Sequence, residues 1–167
     1  MATPTTLPAT FVAGNILTAA QQNALRGAFR VLQVVQGFTS TAVSNSTSTF
    51  ADTGLTATIT PSSNTSKILV AISQAGISNN GVTGGSGTTC NILRNGVEQQ
   101  IFAYSVGYSG AAAITRHNAT GLLLDSPATT SAVTYKTQFK NIINAASVSV
   151  QVDSAVSSTI ILMEISA

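Results

Sequence analysis

The chain reads as an all-β protein, an antiparallel β-sandwich of jelly-roll-like type preceded by an extended N-terminal arm and one short helix. Three observations predict this. From Val31 onward apolar side chains recur at every second position, turn residues interrupt them at short intervals, and Ser and Thr make up 44 of the 167 residues while charged residues make up only 7%. Alternation places one face of a strand in a core and the other in water. Thr has a high strand propensity, so it can cover the wet face without a charge. The resulting organisation is an arm over 1–17, a helix within 18–30 and a sandwich over 31–167.

Residues 1–17 (MATPTTLPATFVAGNIL) hold two prolines and no sustained period, which predicts extended chain. Leu7, Phe11, Val12 and Ile16 would gain by leaving water, so the arm is expected to anchor the protein on a neighbour. Thr18-Ala19-Ala20-Gln21 has the spacing of a capping box, and the helix-forming residues after it predict a helix over 19–29. Leu25 and Phe29 lie one turn apart on it. That face either packs on the chain's own sandwich or docks on a partner; the sequence leaves both open.

The sandwich strands follow in order. Leu55, Ala57 and Ile59 alternate with Thr56, Thr58 and Thr60 until Pro61 ends the run. Ile68–Ile72 and Ile160–Ile165 are nearly continuous apolar runs, the pattern of strands buried on both faces. Asn95-Gly96 between CNILR and VEQQIFAY predicts a type I′ hairpin. Val133, Tyr135, Thr137 and Phe139 form one face of a further strand, and Val148, Val150 and Val152 another. Eight to ten strands result.

Composition excludes several classes. The net charge of +2 comes without any Lys/Arg cluster, which argues against a nucleic-acid surface. No apolar run approaches the roughly 18 residues of a membrane helix, and Met1–Thr10 has neither the charge nor the apolar core of a signal peptide. A single cysteine, Cys90, excludes an internal disulfide framework. With so little charge to block edge-to-edge pairing, the strand edges are expected to be covered by other subunits, so an obligate oligomer is inferred.

The chemistry-bearing residues do not form a recognisable catalytic set. His117 is the single histidine, there is no G-x-S-x-G, and the five acids Asp52, Glu98, Asp125, Asp153 and Glu164 are widely spaced. The chain is therefore read as a non-enzyme without cofactor or intrachain metal, although symmetry could gather copies of Asp125, Asp153 or His117 around an axis. Gly84-Gly85-Ser86-Gly87 lacks the Lys and helix of a phosphate loop. Two stretches are candidate recognition loops: Ile77–Thr89, with Asn79 and Asn80, and Tyr104–Asn118, with Tyr104, Tyr108, Arg116 and His117. A carbohydrate-binding module would be expected to show more aromatic platform than three tyrosines and no tryptophan.

AGNILTAAQQNALRG (Ala13–Gly27) resembles the opening of many tail-fibre-like virion proteins of tailed phages and prophages, and Phe50–Val70, Leu122–Phe139 and Ser158–Ala167 resemble the sandwich of the same group. ILRNGVE, then LLLDS, then a closing apolar strand is also similar to the trimeric jelly rolls of the complement C1q and tumour-necrosis-factor type. These resemblances imply a homotrimer on the exterior of a phage particle, in contact with the major capsid protein or with tail proteins, and with a host surface glycan as a further partner. No heptad or other repeat provides a fibre shaft, which favours capsid decoration over a tail fibre or receptor-binding tip.

Overall fold

In the computed structural model, residues 14, 16, 18, 19, 31–80, 84–144, 146–153 and 155–166 are described. Ten strands follow one another: β1 (Val31–Thr39), β2 (Val43–Asn45), β3 (Ala51–Ile59), β4 (Lys67–Asn80), β5 (Ser86–Arg94), β6 (Val97–Ser109), β7 (Ile114–Asp125), β8 (Val133–Asn141), β9 (Val148–Val150) and β10 (Ser158–Ile165). The predicted helix falls, apart from Thr18 and Ala19, outside the described residues, as do Leu7, Phe11, Val12, Leu25 and Phe29.

All pairings are antiparallel, and five are nested: β5 with β6, β4 with β7, β3 with β8, β2 with β9, β1 with β10. The first four alternate between two sheets, and the fifth lies in the same sheet as the fourth. Sheet A has the order β1-β10-β4-β7, with the short β9 and β2 continuing beside the far half of β4; sheet B has the order β3-β8-β5-β6. A long hairpin wound in this way is a jelly roll.

Alternation builds the core as expected. Leu55, Ala57 and Ile59 of β3, Val133, Tyr135 and Phe139 of β8, and Val148 and Val150 of β9 are all buried. The hairpin turn at Asn95-Gly96 has positive φ at both residues, 48° and 85°, as a type I′ turn requires. Both flanks of the sandwich close tightly. On one flank β1 passes so near β3 that a Cβ on Gly37 would collide with the Thr56 carbonyl oxygen. On the other, the Phe102 ring of β6 lies over Gly121 of β7, where a Cβ would sit 2.8 Å from Cγ.

The interior is unusually polar. Thr53, Gln74, Thr137, Gln151 and Ser158 are each fully buried between two apolar clusters. Thr53 and Thr137 hydroxyls meet at 2.5 Å, Thr137 donates to Gln74 Oε1 at 3.1 Å, and Gln74 Nε2 donates to Ser158 Oγ at 2.9 Å. The Gln151 amide, oriented so that every group is satisfied, accepts from Ser158 and Gln74 and donates to the Thr41 carbonyl. The chain of bonds crosses from sheet B to sheet A and costs no orphaned amide, which is the condition for burying such groups.

Two ionic pins supplement it. Arg94 Nη1 donates to both oxygens of Asp125 at 2.9 Å, and Tyr135 Oη donates to Asp125 Oδ2 at 2.6 Å, so β5, β7 and β8 are tied at one point. Burial first, and the Asp125 carboxylate second, push the Tyr135 phenol well above its ordinary value. Glu164 of β10, fully buried, accepts from Gln33 Nε2 at 2.6 Å and from the Ser62 amide and hydroxyl at 2.7 Å. Burial pushes this carboxyl up, but the hydrogen bonds from Gln33 and Ser62 outweigh it and hold it at about 2.

Candidate functional site

The two sheets present opposite outer faces. Sheet B carries charged groups outward: Lys136 pairs with Asp52 at 2.8 Å, Gln138 donates to Asp52 at 2.7 Å, Glu98 accepts from the buried Asn91 at 2.6 Å, and Lys140 lies 4.6 Å from the centre of the Phe50 ring. The Lys136 ammonium holds the Asp52 carboxyl below its ordinary value.

Sheet A is different. The register aligns its outward side chains into rows across the four strands: Leu124–Leu69–Met163–Val34, then Leu122–Ala71–Ile161–Gln36, then Thr120–Ser73–Thr159–Phe38. No charged residue occurs in these rows; Lys67 and Arg116 stand beyond their two ends. Phe38 is 74% exposed, Leu122 68%, Leu124 60% and Val34 58%. A dent of about 290 Å³ lies in the middle, floored by Ala71, Ser73 and Gly121 and walled by Leu122 and Ile161. The continuous apolar runs Ile68–Ile72 and Ile160–Ile165 therefore alternate after all: Ile68, Val70, Ile160 and Leu162 are buried, while Leu69, Ile161 and Met163 belong to this face and are only half-buried. An uncharged face with this many exposed apolar side chains would gain by being covered.

The predicted recognition loops are mostly strand. Ile77–Asn80 belongs to β4 and Ser86–Thr89 to β5; Tyr104–Ser109 belongs to β6 and Ile114–Asn118 to β7. Irregular pairing explains the misreading, since β6 carries positive φ at Ser105 and Gly107 and shifts register repeatedly against β5. Asn79 is removed from the recognition set. It is buried, its amide donates to the Gly107 carbonyl at 2.5 Å, and its Oδ1 accepts from Thr88 at 3.0 Å. Asn80 ends β4, and its side chain lies outside the described residues.

Tyr104 and Tyr108 of β6 are exposed, as are Arg116 and His117 of β7 and Ile16 of the arm. Arg116 and His117 come together in a recess of about 250 Å³ with Gly76, Asn118, Asp153 and Val156. This recess was not readable in the sequence. It forms where β4 shifts register between Gln74 and Ile77, bringing three distant segments together.

Asp125 is unavailable to an axial metal, being engaged by Arg94 and Tyr135. Among the described residues no three of His, Cys, Asp and Glu gather in one place. Burial pushes the Cys90 thiol up to about 12, so it stays protonated at neutral pH. In comparisons with known proteins, no family model matches the chain and no curated protein matches it.

Proposed function

We propose that the chain is a structural subunit of the exterior of a tailed-phage virion, a homotrimeric jelly roll held to its particle by the 1–17 arm and acting as a capsid decoration protein. The observation that carries the assembly part is the uncharged outer face of sheet A. Covering one of its exposed Leu, Val or Phe side chains is worth about 1–2 kcal/mol, and the face offers four of them.

Its layout favours a ring. Phe38 stands on the β1 margin, while the dent lies between β10, β4 and β7. Phe38 of one copy seated in the dent of the next is a head-to-tail contact, which closes into a ring when the rotation between copies closes. The charge-bearing face of sheet B then remains outward. The number three and the virion location rest on the resemblances of Ala13–Gly27, Ile92–Glu98 and Leu122–Ser126.

A second reading, a tail-fibre or receptor-binding tip subunit, is favoured by the exposed Tyr104, Tyr108 and Arg116. Gold immunolabelling of intact virions separates the two. Label over the head supports decoration, label confined to the tail supports the tip, and unlabelled particles refute the virion reading. Removing residues 1–17 is expected to leave a folded trimer that no longer attaches.

A further inference from the structure

We propose that the recess at the β4 bulge is a saccharide site that takes one neutral pyranose ring. The inference stands apart from the virion reading, because it rests only on the groups lining the recess. Its volume of about 250 Å³ lies just below the range of pockets for drug-sized ligands, which suits a single ring.

The polar groups there have capacity to spare. Arg116 makes no hydrogen bond or ion pair among the described residues, so its donor fork is free. Asp153 spends Oδ1 on the Ala155 amide at 3.0 Å, which fixes the carboxylate and leaves Oδ2 to accept. Asn118 spends Oδ1 on the Gly76 amide at 3.0 Å, which turns its NH₂ into a free double donor. Val156 adds an apolar wall for the C–H face of a sugar.

The charges decide the ligand class. Arg116 and Asp153 line the same recess, and their opposite charges cancel. Each sugar hydroxyl both donates and accepts, so neighbouring hydroxyls can bridge a guanidinium and a carboxylate. A phosphate or carboxylate ligand would gain Arg116 but face Asp153, and apart from His117 no other basic residue lines the recess. The site is also built into strained backbone. Gly76 and Gln151 both have positive φ, 60° and 51°, and are tied by the Val152 amide to the Gly76 carbonyl at 3.2 Å and the Gln151 amide to the Ala75 carbonyl at 3.1 Å. Gln151, which adjoins the recess without lining it, thus holds a backbone conformation that non-glycine residues seldom adopt.

The test is titration of the full chain with methyl glycosides of glucose, galactose and mannose, followed by ligand-observed NMR, with methyl glucuronide and inorganic phosphate as anionic probes. Saturable binding of at least one neutral glycoside is expected, with Kd on the order of millimolar for a single ring. Arg116→Ala and Asp153→Asn should each weaken it at least tenfold; the second keeps an acceptor for the Ala155 amide. Sedimentation and circular dichroism should not change in either variant. No saturation by any neutral glycoside overturns the proposal, as does wild-type affinity in both variants. Tighter binding of glucuronide or phosphate than of every neutral glycoside also overturns it.

Discussion

Glu164 is the most exacting test of the interior. Its carboxylate is fully buried and accepts three hydrogen bonds, two at Oε1 from Ser62 and one at Oε2 from Gln33. Glu164→Gln keeps the shape but places an NH₂ against either the Ser62 donors or the Gln33 donor. If Gln33 rotates to relieve this, it forfeits its 2.6 Å bond to the Thr60 carbonyl. The ordinary value of this carboxyl is 4.5, and in the folded chain it is about 2. A depressed carboxyl contributes stability above its unfolded value and loses it as pH falls through its folded value. The difference corresponds to about 3 kcal/mol at pH 7 and about 1 kcal/mol at pH 3, where the unfolded chain is already protonated and the folded chain is not. The assay is urea unfolding of wild type and Glu164→Gln at equal chain concentration at both pH values. The variant should be less stable at pH 7 by about 3 kcal/mol, or roughly 6–12 °C in Tm. The gap should then shrink by about 2 kcal/mol at pH 3. A gap that is small at pH 7, or that does not change with pH, would refute the assignment of Glu164 as a stabilising buried anion.

Three further perturbations follow from the same geometry. Asp125→Asn leaves the Arg94 guanidinium facing a neutral amide and weakens the Tyr135 bond; a loss of about 2–4 kcal/mol is expected in denaturant titration. Gly37→Ala drives a methyl group into the Thr56 carbonyl where β1 meets β3, and should cost about 1–3 kcal/mol. Thr137→Val removes the hydroxyl between Thr53 and Gln74, leaving Gln74 Oε1 buried without its donor, for a loss of about 1–3 kcal/mol. A neutral effect of Thr137→Val on the unfolding midpoint would mean that the buried polar chain does not hold the sheets in register.

The sandwich was legible because period-two alternation is a direct consequence of one-sided burial, and β3 and β8 follow it without exception. Asn95-Gly96 was legible for an equally local reason, the need for positive φ at two consecutive residues. The outer face of sheet A was not. Leu69 and Ile161 look the same in sequence whether a second layer of the same chain or another molecule covers them, so Ile68–Ile72 and Ile160–Ile165 suggested strands buried on both faces. The strands between Tyr104 and Asn118 were hidden by bulges at Ser105 and Gly107, which break the alternation. The recess had no sequence signature because Gly76, Arg116 and Asp153 meet only through the topology. Asn79 shows the converse. Its Gly/Asn-rich neighbourhood suggested a surface loop, yet its amide is spent inside, on Gly107 and Thr88.

The central claim is that the outer face of sheet A is where copies of this chain meet. Sedimentation equilibrium of the wild type and of a Leu122→Glu/Leu124→Glu variant tests it most directly. Both leucines are exposed on the single chain, so the substitutions disturb no intrachain packing and the variant should keep the wild-type circular dichroism spectrum. The account predicts a wild-type mass about three times the 17.0 kDa of the chain and a variant at the mass of one chain. A wild type that remains monomeric at high micromolar concentration, or a variant that remains trimeric, would contradict it.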